Sequence, residues 1–211
     1  MTDVRPLALT TGDGLVLEGA LNPGLNASPP IAVVLCHPHP QFGGSMRSIV
    51  TSVLFEQLPM LGYPCVRFNF RGVERSGGTY SEGELEPLDV EAAINAMAGA
   101  VPSVPIVLVG WSFGADISLT VVDERVAAWV PIAPPLRFRA GFAAATDARS
   151  KHLILGEHDE FRAPDDVRDE IAGWINTTVA VIPGASHFFV GRTDRVVTEA
   201  RAALESVVTT K

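Results

Sequence analysis

Residues 104–119 read VPIVLVGWSFGADISL, and they carry the strongest structural signal in the chain. The run from Ile106 to Val109 is apolar and rich in β-branched residues, which is typical of a buried strand. The turn Gly-Trp-Ser-Phe-Gly follows at residues 110–114, and the apolar pattern beyond it predicts a helix. A serine between two glycines, where a strand turns into a helix, indicates a nucleophile elbow that exposes the Ser112 hydroxyl above the sheet. The alternative is a polar residue in an ordinary strand-to-helix turn.

Apolar strands alternate with helical patterns along the rest of the chain. A hairpin is predicted at residues 7–22, and further strands are predicted at 31–36, 64–70, 126–133, 153–155 and 177–182. Further helices are predicted at 49–61 with Ser45 as the cap, and at 85–100, 164–174 and 195–208. This alternation predicts a single α/β domain over residues 1–211, with a mostly parallel twisted sheet of about eight strands and helices on both faces. The N-terminal hairpin is the antiparallel part.

The composition excludes several classes of partner. The formal net charge is −8, without a basic cluster, which argues against nucleic acid and against an anionic membrane surface. The first residues lack the pattern of a signal peptide, and the longest apolar runs are too short to cross a bilayer, so a cytoplasmic protein is expected. Cys36 and Cys65 are expected to be buried, reduced thiols. The sequence is compatible with a homo-oligomer, but no segment of it indicates an interface.

A serine hydroxyl needs an adjacent base to become a nucleophile at neutral pH, and that base needs an acid to orient it. His187 follows the last predicted strand, and Asp159 follows the strand before it. Both therefore belong to the same edge of a parallel sheet as Ser112. The chain order serine, aspartate, histidine is that of one type of catalytic triad. The other acids in position to replace Asp159 are Glu157, Asp165 and Asp166.

Five segments resemble those of the α/β-hydrolase superfamily, in particular its small lidless members related to dienelactone hydrolase. They are LCHPHPQFGGSM at 35–46, NFRGVERSGG at 69–78, GWSFG at 110–114, GEHD at 156–159 and GASH at 184–187. They extend over almost the whole chain and occur in the family's order. The resemblance implies the α/β-hydrolase fold and a serine hydrolase, with Ser112 as nucleophile, His187 as general base and acid, and Asp159 orienting the histidine.

The resemblance also implies an oxyanion hole made of two backbone N–H groups. One is that of Phe113, which follows the serine. Relatives often place a His-Gly pair after the strand at 31–36 and use the N–H of the next residue. This chain has Pro38 at the glycine position, which points to His39. Pro40 has no N–H, so Gln41 is the fallback donor.

The activity implied is the cleavage of small or short-chain carboxylic esters without a metal or organic cofactor. Larger relatives insert a lid between the strands at 126–133 and 153–155, whereas here the connection is short and an open, shallow site is expected. Phe42, Trp111 and Phe188 are expected to form its apolar wall. His37 and His39 are more typical of hydrogen-bonded loop residues than of a metal pair. The alternatives are a peptidase or thioesterase with the same triad, and a binding or scaffold protein without turnover.

Overall fold

The computed structural model describes residues 3–137 and 141–209. Its strands are β1 (Arg5–Thr10), β2 (Val16–Asn22), β3 (Ala32–Cys36), β4 (Cys65–Phe68), β5 (Ile106–Trp111), β6 (Val126–Ile132), β7 (Ser150–Gly156) and β8 (Thr177–Ile182). Its helices are α1 (Ile49–Met60), α2 (Glu86–Ala100), α3 (Phe113–Thr120), α4 (Pro164–Glu170) and α5 (Thr193–Thr209). Two short 3₁₀ turns, at Pro40–Phe42 and Ala143–Thr146, lie in the loops that follow β3 and β6.

The strands form one sheet of eight in the order β1-β2-β4-β3-β5-β6-β7-β8. The pairs β1–β2 and β2–β4 are antiparallel, and every other pair is parallel. The predicted architecture, a mostly parallel sheet of eight strands with an antiparallel N-terminal hairpin, is therefore confirmed. In the described part of the connection from β6 to β7, the structure contains a single 3₁₀ turn and no inserted lid. The parallel strands place all their carboxyl ends at one edge of the sheet, which is where functional loops of such folds lie.

Helices cover both faces of the sheet, and strand β5 shows why. Ile106 and Leu108 point into one hydrophobic core, which also contains residues of α2 and α3. Val107 and Val109 point into a second core, which contains residues of α1 and α5. Because successive side chains of a strand alternate between its faces, a strand buried on both faces has to be apolar at every position.

Several predicted boundaries were wrong. The strand predicted at 153–155 begins earlier, at Ser150, because Lys151 and His152 take part in the pairing with β8. Helix α4 ends at Glu170, four residues before the predicted end, and a turn leads to Trp174. Helix α1 begins at Ile49 with Ser48, not Ser45, as its N-terminal flanking residue. The polar residues at the start of β7 hid its first part from a prediction based on apolar runs. The apolar residues after α4 made the helical pattern look longer than the helix is.

The two cysteines lie on neighbouring strands, and both are buried free thiols. Burial raises the pKa of both thiols far above the ordinary value, so neither is a ready nucleophile at neutral pH. Among the described residues, no helix combines the length and apolar character that a bilayer-crossing segment requires.

Candidate active site

The turn between β5 and α3 holds Ser112 in a strained conformation, with φ of 55° and ψ of −120°. A Cβ atom on Gly110 would lie 2.3 Å from the carbonyl oxygen of Gly114. A Cβ atom on Gly114 would lie 2.4 Å from backbone carbonyl oxygens at the end of β3. The chain therefore needs glycine on both sides of the serine, because any side chain there would collide with backbone atoms.

The structure brings Ser112, His187 and Asp159 together at the carboxyl edge of the sheet. The His187 Nε2 atom lies 2.9 Å from the Ser112 hydroxyl oxygen. On the other side of the ring, Nδ1 lies 2.9 Å from Oδ2 and 3.1 Å from Oδ1 of Asp159. All three residues are at least nine-tenths buried. The result is a continuous hydrogen-bonded chain from a carboxylate to a hydroxyl.

The alternative acids lie elsewhere. Glu157 accepts a hydrogen bond from the N–H of Gly184, and the exposed Asp165 pairs with Arg168 on α4. The backbone oxygen of Asp166 accepts a hydrogen bond from the Arg162 side chain, and its carboxylate makes no side-chain hydrogen bond within the described residues. Of the four candidate acids, only the carboxylate of Asp159 contacts His187.

Backbone hydrogen bonds hold the acid and the histidine in place. Asp159 Oδ1 also accepts from the N–H groups of Phe161 and Arg162, at 2.9 and 3.1 Å. The His187 N–H donates to the side chain of Glu160 at 3.1 Å, and its carbonyl accepts from the Trp111 indole at 3.2 Å. Sequence reasoning missed Glu160. Its position next to Asp159 was the only available signal.

The loop after β3 distinguishes between the two proposed second donors of an oxyanion hole. The Gln41 N–H donates to Nδ1 of the His39 ring at 3.2 Å, so it is committed to its own turn. Within residues 3–137 and 141–209, the His39 N–H has no acceptor. Phe113 begins helix α3, so its N–H lies at the positive end of the helix dipole. The structure thus favours His39 over Gln41 as the second donor.

Two adjoining cavities meet at Ser112. The first, of about 430 Å³, is lined by His187 and by the three residues predicted as a wall, Phe42, Trp111 and Phe188. The second, of about 250 Å³, does not include His187 in its lining. Its residues are His39, Phe42, Tyr80, Ser112, Phe113, Asp116, Pro135, Arg137 and Phe161.

Sequence reasoning missed two aromatic residues of these cavities. Phe161 lines both of them, and its ring centroid lies 4.4 Å from that of His187. Tyr80 lines the second cavity and comes from the glycine-rich loop after β4. No local pattern marks either residue, because each reaches the site only through the path of its loop.

Asp116 is a buried acid on the first turn of α3. Its two carboxylate oxygens accept the N–H groups of Leu136 and Arg137, each at 3.0 Å. Burial raises the pKa of this carboxyl to about 7, against the lowering effect of those two bonds. Asp116 therefore anchors the loop after β6 to the elbow helix. The Arg137 side chain is exposed, and Arg139, the other arginine of that loop, lies outside the described residues.

The two histidines of the β3 loop have partners of their own. His37 is fully buried; its Nε2 accepts the Phe70 N–H at 3.0 Å, and its Nδ1 lies 2.6 Å from the carbonyl of Pro38. Burial lowers the pKa of His37 to about 4. Among the residues that the structure describes, no group of three or more potential metal ligands is assembled.

Comparison with known proteins gives relatives of similar length. The chain is 31% identical over 191 residues to an uncharacterized protein of Rickettsia prowazekii, which covers 84% of this chain and 79% of that protein. An α/β serine hydrolase homologue from Coxiella burnetii has a TM-score of 0.84 and 30% identity, over 100% of this chain and 98% of its own. No family model matches the chain.

A second solved structure is similar along the whole chain. It is an α/β serine hydrolase without a lid from Xanthomonas campestris, with a TM-score of 0.84 and 30% identity over 100% of this chain and 95% of its own. Both likenesses therefore include the segments that carry Ser112, Asp159 and His187.

Proposed function

The chain belongs to the α/β-hydrolase superfamily, and on that premise we propose that it is a serine-dependent carboxylesterase that cleaves small or short-chain esters. The observation that carries the proposal is the hydrogen-bonded chain from Asp159 through His187 to the Ser112 hydroxyl. A serine hydroxyl is inert at neutral pH, and this contact is what activates it.

The reaction is acyl transfer in two steps. Ser112 Oγ attacks the ester carbonyl carbon while His187 Nε2 removes the hydroxyl proton of Ser112. The resulting oxyanion accepts hydrogen bonds from the N–H groups of Phe113 and His39. His187 then returns the proton to the departing alkoxide, which leaves an acyl-enzyme on Ser112. Water, deprotonated by the same nitrogen, then attacks the acyl-enzyme. As the bond to the Ser112 oxygen breaks and the acid leaves, His187 returns the proton to that oxygen.

Asp159 acts on the histidine and does not touch the substrate. Its carboxylate accepts a hydrogen bond from the Nδ1–H group, which keeps the proton on Nδ1 and the lone pair on Nε2, facing Ser112. The same carboxylate stabilises the imidazolium that forms during each step. The backbone N–H groups of Phe161 and Arg162 donate hydrogen bonds to Asp159 and hold its orientation fixed while the histidine changes charge.

The two cavities receive the two halves of the ester. The alkoxide has to meet His187, because that histidine supplies its proton. The leaving group therefore occupies the larger cavity, against Trp111 and Phe188, and the acyl group occupies the smaller one. The smaller cavity, of about 250 Å³, supports a preference for short acyl groups.

A panel of p-nitrophenyl esters of increasing acyl length tests the proposal, with matched thioesters and peptide amides in parallel. We expect turnover to be highest for short acyl esters and to be lost in Ser112→Ala. Ser118→Ala is the matched control, because that serine lies on the same helix with its hydroxyl bonded to the carbonyl of Ala115 at 2.8 Å.

The alternatives give different outcomes in the same experiment. A thioesterase or peptidase would prefer its own bond type over the oxygen ester in the panel. A binding or scaffold protein would neither turn over the panel nor react with a fluorophosphonate. Labelling of the wild type and Ser118→Ala, together with loss of labelling in a folded Ser112→Ala, would exclude a protein without turnover.

A further inference from the structure

The hydrogen bonds of the His39 ring define which of its nitrogens carries a proton. A backbone N–H can only donate, so Nδ1, which receives the N–H of Gln41, has no proton. Burial lowers the pKa of His39 below its ordinary value of 6.5, so the ring is neutral at neutral pH. Its single proton is therefore on Nε2.

That proton points at Tyr80. The His39 Nε2 atom lies 3.1 Å from the Tyr80 hydroxyl oxygen, so the histidine donates and the tyrosine accepts. The proton of the Tyr80 hydroxyl must then point elsewhere, and no acceptor for it lies within reach among the described residues. Burial raises the pKa of Tyr80, so the hydroxyl keeps this proton at neutral pH.

Tyr80 lies where a donor would meet the substrate. It lines the cavity assigned above to the acyl group, together with Ser112. Its ring packs against those of His39 and Phe113, with centroid distances of 5.1 and 5.7 Å. These are the two residues whose N–H groups are proposed to form the oxyanion hole, so the Tyr80 ring packs next to that proposed site.

We propose that Tyr80 is a specificity-determining residue that donates its hydroxyl proton to a neutral oxygen in the acyl group of the substrate. The enzyme then favours short acyl chains that carry an ether, keto or hydroxyl oxygen close to the ester over hydrocarbon chains of the same size. A neutral acceptor suits the cavity, because its lining contains one acidic and one basic residue, Asp116 and Arg137, and no cluster of either type. This inference rests on the proposed esterase activity.

The test compares pairs of p-nitrophenyl esters that differ at one position of the acyl chain, where one ester has an oxygen atom and the other a methylene group. The pairs are methoxyacetate with butyrate, and β-methoxypropanoate with pentanoate. For each pair, the ratio of kcat/KM values is measured in the wild type and in Tyr80→Phe. The difference in intrinsic reactivity within a pair is common to both proteins and cancels. A neutral hydrogen bond predicts that the ratio falls by roughly three- to tenfold in Tyr80→Phe for at least one pair.

Tyr63→Phe is the matched control, since it removes the hydroxyl of the chain's other tyrosine, which packs in the core on the side of α1 and α5. Its ratios should equal those of the wild type. Loss of packing in Tyr80→Phe would lower both members of a pair together and leave the ratio unchanged. Unchanged ratios for both pairs would overturn the inference and leave the esterase proposal standing. A wild type that hydrolyses none of the four esters would instead refute the proposed function.

Discussion

Replacing Asp116 with asparagine should change how the stability of the protein depends on pH. Asp116 is 1% exposed, and within the described residues its carboxylate accepts hydrogen bonds from the N–H groups of Leu136 and Arg137, in the loop after β6. Burial raises its pKa from 3.8 to about 7. Asparagine has no charge to bury, but its amide keeps only one acceptor oxygen for the two N–H groups. The cost of the lost hydrogen bond does not depend on pH, so the pH dependence of the difference isolates the cost of the charge.

The size of the effect follows from the two pKa values. Between pH 3.8 and about 7 the folded state holds a proton that the unfolded state has released, so wild-type stability falls as pH rises. A difference of about three pH units at 1.36 kcal/mol each gives a loss of ~4 kcal/mol. Asp116→Asn lacks this loss. Its stability relative to the wild type should therefore rise by ~1.4 kcal/mol per pH unit across this window.

The buried His37 has the opposite effect and would hide the slope in the wild type alone. Burial lowers its pKa from 6.5 to about 4, so between these values only the unfolded state is protonated and stability rises with pH. Over about 2.5 pH units this amounts to ~3 kcal/mol. In His37→Gln the stability relative to the wild type should therefore fall as pH rises, with the opposite sign to Asp116→Asn.

Urea unfolding of the three proteins between pH 4 and pH 8, followed by circular dichroism, measures these differences. The comparison is valid where the m-values agree, because the same surface is then exposed on unfolding. A difference between Asp116→Asn and the wild type that stays constant across this range would refute the reasoning. It would mean that the two backbone hydrogen bonds stabilise the charged carboxylate as much as burial destabilises it, so that its pKa is not raised.

Three further changes have direct readouts. Asp159→Asn should lower kcat by roughly four orders of magnitude in the ester assay while the fold persists, and a loss under tenfold would remove it from the triad. Gly114→Ala should lower the free energy of unfolding, measured in urea, by more than about 3 kcal/mol. Gly99→Ala, in α2 with open space around its Cβ, should raise it by up to about 1 kcal/mol. Equal stabilities of the two variants would contradict the crowding at the elbow. Arg71→Met should lower the free energy of unfolding by ~3–5 kcal/mol, because it removes the guanidinium that lies 2.7 Å from the buried Asp89 carboxylate. An unchanged urea midpoint would show that this pair contributes nothing to stability.

Much of the fold can be predicted from local pattern. The alternation of apolar strands and helices predicts the layered sheet, because a parallel strand buried on both faces has no polar positions. The pattern around Ser112 predicts the elbow, since crowding leaves space only for glycine at two positions. The positions of Asp159 and His187 after successive strands predict that they share one edge, and the structure brings them into contact there. Their catalytic role stays a prediction until the variants are measured.

The sequence by itself determined the order of the elements, the elbow and the three polar residues at the sheet edge, because each depends on periodicity or on crowding between near neighbours. Only the tertiary structure decided that Tyr80, Phe161 and Glu160 reach the site and that Asp116 anchors a loop. Loops have no repeating geometry, so the position of their side chains depends on where distant segments pack. The hydrogen bond from the Gln41 N–H to the His39 ring likewise depends on how this loop folds, and it supports the proposal of His39 as the second donor.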